Sequence, residues 1–584
     1  MKVLLWLGAL CGLITLGGCE SSPATSSTPE TCVALAEQFP VDTVVPKGCY
    51  IAAQTPTIGA GVTVTLAAGV TITFDAGTGL QISGNQALLA LGTATSPVVL
   101  TGATKTRGAW NGVRFDGTAS KNSSLSYATV EYAGATKADS KAAGIKATAD
   151  SAGVSLSLQH VTVRQSQGYG LYLADSAKVA HFDHNTLTGN ALGPAMIDIN
   201  AVGYLDSTST YKGNDLAPVV VNTGHLDQNA SWSALDVPYF MDGPTNVDVP
   251  WTLAAGTTLV MAKDAWISIN GDVAALHAVG TQAAPIRLTG EVATRGSWDN
   301  LIYNGSNNTA NRLEWVTIEH GGSTAHDKYG ACLLVSADSH GVTVPMDHVT
   351  IQKCQGFGAT MTGSTLLPTF SNNSFTLNGL GPMRIGSTAV WQLDTTSTYT
   401  GNDVDQVSVD ADWIAKTASW HDLGAPYHLD NNLQVNGKSD LPVVWTLEPG
   451  VTLVMDAGIW IGVSGDYSGL HAVGTAAKPI TLTGATKQAG FWSAVLFGGS
   501  NNAANAFEYA TLEYGGSGVK SNMDKGLITA SADSHGVTVS VKNCTLQHGA
   551  GYGLWLGGSA VTNADIDTAN TFADNALGAV FHDK

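Results

Sequence analysis

Short stretches of alternating apolar and polar residues run along almost the whole chain. In residues 537–541, VTVSV, every second side chain is apolar, which is the pattern of a strand that buries one face. Glycine, asparagine and aspartate interrupt these stretches roughly every 8 to 12 residues, and long segments lack a helical period. The pattern therefore predicts an all-β protein built from many short strands.

The same pattern occurs three times along the chain. Trp110, Trp298 and Trp492 lie 188 and 194 residues apart, and a proline and a glutamate keep these offsets. Those residues are Pro97, Pro285 and Pro479, and Glu131, Glu319 and Glu513. Self-similarity at a fixed period of about 190 residues is typical of repeat architectures. We therefore divide the chain into three tandem repeats, 49–236, 237–424 and 425–584.

Strands of this length fit either a β-sandwich or a β-solenoid. A second period of roughly 20 residues between apolar segments favours the solenoid. In the third repeat these segments contain Val451, Leu470, Phe491 and Leu512. At roughly 22 residues per coil, a continuous array would hold about 24 coils and be about 115 Å long. Alternatively, three shorter helices meet at the repeat junctions, where Pro238 and Pro426 cannot donate a ladder hydrogen bond.

An asparagine motif recurs late in each repeat. It has the form Asn-x-Phe/Leu-x-x-Asn and occupies residues 185–190, 373–378 and 570–575. It resembles the coil motif of right-handed parallel β-helix proteins, the pectate-lyase-like superfold, and the resemblance covers residues 49–584. The resemblance implies that the apolar residue points into the coil and that the asparagines stack at turns that tolerate left-handed backbone.

The N-terminus resembles that of a bacterial surface lipoprotein. Residues 1–18 combine one basic residue with a short apolar stretch, as in a signal peptide. Cys19 ends a Leu-Gly-Gly-Cys sequence that resembles a lipobox, which implies that it is acylated, with palmitate among the acyl chains. Glu20 follows where aspartate would signal inner-membrane retention, which favours the outer membrane. Residues 19–48 then form a lipidated tether and an N-terminal cap, anchored to the membrane by lipid rather than by a helix.

Five further cysteines lie beyond Cys19. In an exported protein we expect Cys32 and Cys49 to form a disulfide that closes the exposed edge of the first coil. Cys332 and Cys354 lie 22 residues apart, a spacing that permits a bond between adjacent coils without predicting one. Cys544 stands where the second repeat has a valine, so we expect it to be buried.

The charge of the chain excludes one class of partner. There are 27 Lys and Arg residues against 46 Asp and Glu residues, which gives a formal net charge of −19. This excess of negative charge argues against nucleic acid and against anionic surfaces that no cation bridges. A polysaccharide or a surface protein remains as the partner beyond the membrane.

The three repeated glutamates are the best candidates for a tripled binding site. Each follows an aromatic residue by four positions, in the pairs Tyr127 and Glu131, Trp315 and Glu319, and Tyr509 and Glu513. Strand alternation predicts that both side chains lie on the outer face. There the ring would stack on a sugar and the carboxylate would bond the sugar hydroxyls. The carboxylate could instead bind a calcium ion, which is the one cofactor that we consider possible. The alternative is a glutamate that satisfies donors within its own repeat.

No catalytic residue can be assigned from the sequence. The motif Asp-Ser-His-Gly at 338–341 and 533–536 resembles part of an inverting polygalacturonase site, but repeat one has Asp-Ser-Ala-Gly at 150–153. We interpret the motif as a turn, since the three copies share the Asp, Ser and Gly residues but not the histidine. The paired carboxylates of an inverting glycosidase are not recognisable, and the histidines lack metal-ligand spacing.

Repetition itself favours binding over catalysis. Three weak sites on one chain gain avidity, whereas three copies of an active site gain little. We therefore expect a structural or adhesive protein of the cell envelope with multivalent glycan binding. A polysaccharide lyase, hydrolase or epimerase of the same superfold is the alternative.

Overall fold

The computed structural model describes residues 31–117, 121–135, 141–148, 153–174, 176–324, 327–336, 341–518, 525–531 and 536–582. The signal peptide and Cys19 lie outside the described residues, so the predicted lipid anchor is not tested. Within the described part, the chain is a right-handed parallel β-helix, as predicted, and every pairing between its named strands is parallel.

Most coils contain three short strands separated by turns. In the first repeat the strands and the single 3-10 helix are β1 (Val33–Ala34), β2 (Gln38–Phe39), β3 (Thr43–Val45), β4 (Gly48–Ala52), β5 (Thr57–Ile58), β6 (Thr63–Leu66), β7 (Val70–Phe74), β8 (Leu80–Ser83), β9 (Ala87–Leu91), β10 (Val98–Gly102), β11 (Val113–Asp116), β12 (Ser123–Ser126), β13 (Ala128–Glu131), β14 (Ala143–Thr148), β15 (Val154–Gln159), β16 (Thr162–Arg164), β17 (Tyr169–Leu173), β18 (Ala177–Asp183), β19 (Thr186–Thr188), β20 (Ala195–Asp198) and η1 (Ile199–Tyr204).

The second stretch of coils has the same order. Its elements are β21 (Val219–Asn222), β22 (His225–Leu226), β23 (Ala230–Trp232), β24 (Tyr239–Met241), β25 (Thr245–Val247), β26 (Pro250–Leu253), β27 (Thr258–Met261), β28 (Ile267–Asn270), β29 (Ala275–Val279), β30 (Ile286–Gly290), β31 (Leu301–Asn304), β32 (Arg312–Glu314), β33 (Val316–Glu319), β34 (Leu333–Ser336), β35 (Val342–Thr343), β36 (Met346–Asp347), β37 (Thr350–Gln352), β38 (Phe357–Met361), β39 (Thr365–Leu366), β40 (Phe370–Ser371), β41 (Ser374–Thr376), β42 (Gly381–Gly386) and η2 (Val390–Gln392).

The third stretch completes the helix. Its strands are β43 (Val407–Asp410), β44 (Trp413–Ile414), β45 (Ala418–Trp420), β46 (Tyr427–Leu429), β47 (Leu433–Val435), β48 (Val443–Leu447), β49 (Thr452–Met455), β50 (Ile461–Ser464), β51 (Ser468–Val473), β52 (Ile480–Gly484), β53 (Val495–Gly498), β54 (Ala506–Glu508), β55 (Ala510–Glu513), β56 (Gly526–Ser531), β57 (Val537–Thr538), β58 (Ser540–Lys542), β59 (Thr545–Gln547), β60 (Tyr552–Gly557), β61 (Ala560–Val561), β62 (Thr571–Ala573) and β63 (Gly578–His582).

The helix is continuous through both repeat junctions. Strand β21 pairs with β20 on one side and β24 on the other, and β43 pairs likewise with β42 and β46. The junction prolines do not break the ladder, because their carbonyls accept hydrogen bonds from the preceding coil. Val219 N donates to Pro238 O at 3.0 Å, and Val407 N donates to Pro426 O at 2.9 Å. The alternative of three separate helices is therefore wrong.

Equivalent strands move to a different sheet in each repeat. The first strand of each coil lies in the seven-stranded sheet in repeat one, in the 12-stranded sheet in repeat two and in the 14-stranded sheet in repeat three. The sheet that receives the first strands of one repeat is the sheet that held the second strands of the repeat before it. Seven first strands lie in each of these sheets, β1 to β19, β21 to β41 and β43 to β62. The array thus has about 21 coils, or about 100 Å at the spacing of neighbouring strands, fewer coils than the short period predicts. Each structural repeat therefore begins before the bound drawn from the sequence, since β21 begins at Val219 and β43 at Val407 rather than after 237 and 425.

Large aromatic residues fill the inside of the coils. Trp110, Trp298 and Trp492 are fully buried, and the Trp110 ring stacks on Phe74 with centroids 4.2 Å apart. Each indole N–H donates to the backbone carbonyl of the repeated glutamate, at 2.8 to 2.9 Å. These tryptophans are therefore part of the core and present no ring to a ligand.

Asparagine ladders lock the turns, as the resemblance implies. Asn190 Oδ1 accepts from Ser166 N at 3.0 Å, and its amide nitrogen donates to Val163 O and to Asn214 Oδ1 at 3.2 and 2.9 Å. The left-handed residue, however, is the one before the ladder asparagine: Gly189 has φ 67°. The asparagine thus bonds the neighbouring coil while its predecessor makes the turn.

Both cysteine pairs are disulfide-bonded. Cys32 and Cys49 form the predicted bond, which ties the first coil to the second. Cys332 and Cys354 form a second bond, with Cα atoms 5.6 Å apart, that the sequence permitted but did not predict. Cys544 is unbonded and buried, as expected.

Candidate functional site

The repeated glutamates lie on the outer face of their strands but are covered by neighbours. Glu131 accepts a hydrogen bond from Thr101 on one adjacent strand at 2.8 Å and from Arg164 on the other at 2.9 Å. Lys105 lies 3.6 Å away in the loop above it. Only 9% of the Glu131 side chain is exposed. Both carboxylate oxygens are therefore used within the repeat.

The other two repeats use the same arrangement. Glu319 accepts hydrogen bonds from Arg287 and Gln352 at 2.7 and 2.8 Å, and 4% of its side chain is exposed. Glu513 accepts hydrogen bonds from Thr483 and Gln547 at 3.0 and 2.9 Å. A polar ladder of three stacked side chains thus crosses the outer face of each repeat.

Electrostatics keep two of these carboxylates charged. Burial acts to raise the pKa of Glu131 and Glu319, but the hydrogen bonds and the adjacent positive charges outweigh it. For Glu131 these come from Thr101, Arg164 and Lys105, and for Glu319 chiefly from Arg287. The net effect is a pKa below the usual range for both, so each is ionised at neutral pH.

The aromatic partners do not lie on the same strand face as the glutamates. Tyr127, Trp315 and Tyr509 have φ values of 45°, 49° and 46° and occupy the turn immediately before the strand. The Tyr127 ring stacks on His160 at 4.3 Å, and the Trp315 ring stacks on His348 at 4.0 Å. The alternation that we assumed from the sequence starts one residue too early, because the left-handed turn interrupts it. Ligand contact by these six residues stays a prediction.

The three polar ladders face three different directions. Glu131 lies on β13 in the seven-stranded sheet, Glu319 on β33 in the 12-stranded sheet and Glu513 on β55 in the 14-stranded sheet. One flat or linear ligand therefore cannot lie against all three at once, which removes the simple form of the avidity argument.

A groove on the second repeat is a candidate binding site that the sequence analysis missed. It has a volume of about 280 Å³ and crosses three coils beside η2. We call it the Trp391 groove, and its lining includes Ser364, Leu366, Thr388, Trp391, Gln392 and Lys416. The Trp391 side chain is 46% exposed, which is unusual for so large an apolar group.

The local backbone explains why Trp391 points outward. The η2 turn stands where a strand would continue the coil, and Val390 on its inner side is fully buried. Gln392 clips the turn to the previous coil: its Oε1 accepts from Leu367 N at 2.7 Å and its Nε2 donates to Thr365 O at 2.8 Å. Trp391, between these two residues, is left on the outside.

The polar side chains of the Trp391 groove differ in whether they already have hydrogen-bond partners. The Gln392 amide is bonded to the previous coil, and the Thr388 hydroxyl donates to Gly363 O at 2.6 Å. Within the described part of the chain, the Lys416 ammonium and the Ser364 hydroxyl make no side-chain hydrogen bond. The groove therefore combines an exposed indole with two side chains able to bond a ligand.

The threefold comparison of the sequence hid this site. Repeat one has Gly203 where repeat two has Trp391, so a search for residues kept in all repeats discards it. The sequence did contain one indication of the site, a tryptophan in repeat two at a position that glycine occupies in repeat one. Exposure of the ring depends on η2, which the alternation pattern does not reveal.

The Asp-Ser-x-Gly segments lie mostly outside the described residues. Their glycines are described, and Gly153, Gly341 and Gly536 have φ values of 71°, 85° and 82°. All three are left-handed, as the turn interpretation requires. Gly341 also lines the Trp391 groove.

No family model, curated protein or solved structure matches the chain. Among the described residues, no helix is long and apolar enough to cross a membrane. Any assignment of function thus depends on the chemistry of the surface itself.

Proposed function

We propose that this protein is a cell-envelope-anchored β-helix rod with a structural and adhesive role, and that it binds glycan in the Trp391 groove. One observation carries the proposal: an indole that is 46% exposed beside a groove of about 280 Å³. A flat aromatic ring packs against the apolar face of a sugar ring, while nearby polar groups bond its hydroxyls.

Two features of the groove support sugar binding. Lys416 and Ser364 offer hydrogen-bonding groups at its edge, and Leu366, which is 46% exposed, extends the apolar surface. Clipping of η2 by Gln392 holds Trp391 in place before a ligand arrives. Such preorganisation lowers the entropic cost of binding.

The groove chemistry favours binding over cleavage. Among its described lining residues there is no aspartate or glutamate, whereas glycoside hydrolysis generally uses a pair of carboxyl groups. The repeated glutamates are not substitutes, since their oxygens already accept hydrogen bonds from neighbouring strands. The proposal therefore moves the binding site from these glutamates to one place on repeat two.

The test is affinity electrophoresis of the full-length protein through gels that contain neutral or acidic polysaccharides, with calcium present. We expect selective retardation by at least one polysaccharide. Trp391→Ala should weaken binding about thirtyfold, because a tryptophan at the centre of a contact contributes about 2 kcal/mol. Trp391→Phe should keep most of the retardation. Trp413→Ala, which removes another exposed tryptophan outside the groove lining, is the matched control.

Three results would count against the proposal. Retardation that Trp391→Ala leaves unchanged would place glycan binding elsewhere, and joint loss in Glu131→Gln, Glu319→Gln and Glu513→Gln would return it to the polar ladders. Degraded polysaccharide in the lane would support the enzyme alternative. Absence of retardation in every gel would leave a rod that does not bind glycan.

The lipid anchor is a separate part of the proposal. It rests on Cys19 and the residues before it, which resemble a lipobox. Cells that express the protein should incorporate radiolabelled palmitate into it, and Cys19→Ser should abolish both the label and the recovery of the protein with membranes. Label that persists in Cys19→Ser would refute acylation at this residue.

A further inference from the structure

Two histidines and an aspartate meet at one corner of repeat one. The ligand atoms of His160, Asp183 and His184 lie within 4.8 Å of one another. His184 Nδ1 is 3.1 Å from Asp183 Oδ1. The three residues form a single cluster on the outside of the helix, away from the Trp391 groove.

The turn geometry brings the two imidazoles together. His160 and His184 occupy equivalent left-handed positions in adjacent coils, with φ values of 53° and 52°. Their rings stack with centroids 4.8 Å apart and an interplanar angle of 24°. Asp183 is the residue before His184, and its other oxygen is fixed by Gln159 Nε2 at 2.9 Å. The backbone thus holds all three side chains at one place.

The cluster is accessible to solvent, although both Asp183 oxygens already accept hydrogen bonds, one from Gln159 and one from His184. The His184 side chain is 57% exposed and the Asp183 side chain 33% exposed. Within the described residues, the His160 ring makes no hydrogen bond through its nitrogens.

We propose that His160, Asp183 and His184 bind a divalent first-row transition-metal ion. Two imidazole nitrogens and one carboxylate oxygen suit zinc and its neighbours rather than calcium or magnesium, which prefer oxygen ligands. Metal–nitrogen bonds of about 2.0 to 2.1 Å require the two nitrogens to lie about 3.3 Å apart. The ligand atoms lie within 4.8 Å of one another, so binding requires the exposed His184 ring to turn out of its stack on His160 and towards the ion. Three protein ligands leave a fourth position for water.

The other repeats provide natural negative controls. Repeat two keeps His348 at the position of His160 but has Ser371 and Asn372 in place of Asp183 and His184. Repeat three has Asn543 at the position of His160. Asn372 and Asn543 both have φ 54°, so asparagine fits each left-handed position. Replacing either histidine by asparagine therefore removes a ligand without straining the turn.

The test is isothermal titration of the metal-free, full-length protein with Zn²⁺. We expect one zinc ion per chain at this site. His160→Asn and His184→Asn should each weaken zinc binding tenfold or more. Mutation of residues that only hydrogen-bond a metal ligand already lowers metal affinity about 10- to 100-fold. The double variant Ser371→Asp with Asn372→His should create a second site in repeat two.

The proposal fails if the wild-type protein takes up no Zn²⁺, or if His184→Asn binds it as well as the wild type does. It also fails if the double variant in repeat two gains no site while keeping its strand protection in hydrogen exchange. Because Trp391 lies on another repeat, glycan retardation should be the same with and without Zn²⁺, which separates this test from that of the proposed function.

Discussion

Two buried tryptophans allow one hydrogen bond to be measured against a built-in control. No more than 1% of the surface of Trp298 or Trp251 is exposed. Trp298 Nε1 donates to Glu319 O at 2.8 Å. Trp251 Nε1 is buried and has no hydrogen-bond partner within the described part of the chain. Substitution of each by phenylalanine removes a similar volume but has opposite polar consequences.

The expected magnitudes follow from these contacts. Loss of about 40 Å³ of ring at about 24 cal/mol per Å³ costs about 1 kcal/mol at either position. Trp298→Phe also leaves a buried carbonyl without its donor, which costs about 2 kcal/mol more. Trp251→Phe instead removes an unpartnered donor and recovers a similar amount. We therefore expect a loss of about 3 kcal/mol for Trp298→Phe and a change near zero, or a gain of about 1 kcal/mol, for Trp251→Phe.

Hydrogen exchange followed by mass spectrometry is the suitable assay. A repeat protein of this length unfolds in parts, so a single unfolding free energy is poorly defined. Exchange instead gives the opening free energy of the coils around β33 and around β26 separately. Equal losses at the two sites, within about 0.5 kcal/mol, would refute the contribution we assign to the indole hydrogen bond.

Two further predictions concern the charged ladders and the second disulfide. The lowered pKa of Glu319 means that its stabilisation is complete above the ordinary glutamate value of about 4.3 and is lost as the pH falls through the lower folded value. Exchange protection of β33 should thus hold from pH 7 to about pH 5 and decline in more acidic solution, whereas Glu319→Gln should show no such decline; an identical acid response in the variant would contradict this. Joint replacement of Cys332 and Cys354 by serine opens a loop with a sequence separation of 22, so β34 and β38 should lose about 3 kcal/mol of protection. The first coils serve as the control region, and unchanged protection at β34 would show that the bond contributes nothing to the folded coil.

The repeating pattern predicts the fold well because its physics is local. Alternation specifies which side of each strand is buried, and the asparagine motif specifies where stacked turns form. Coil number is less predictable, because coils differ in length. Asn185 bonds the turn 24 residues before it, but Arg164 reaches Glu131 across 33 residues, since the intervening coil carries a longer excursion.

The candidate sites were harder to predict because they depend on contacts between coils. Glu131 reads as an outward carboxylate in the sequence, yet Thr101 and Arg164 on the adjacent strands occupy it. Trp391 is exposed only because η2 replaces a strand. To predict the cluster of His160 and His184, one must know that residues 24 positions apart stack directly on each other. The period of roughly 20 residues read from the sequence does not give this spacing.

Successive repeats are related by a screw operation about the long axis of the rod. Advancing by one repeat moves seven coils along this axis, and the first strands pass from the seven-stranded sheet to the 12-stranded and then to the 14-stranded sheet. A substitution copied into all three repeats would therefore decorate the whole circumference, one mark in each direction. The direction in which a surface feature faces is therefore set by which repeat carries it.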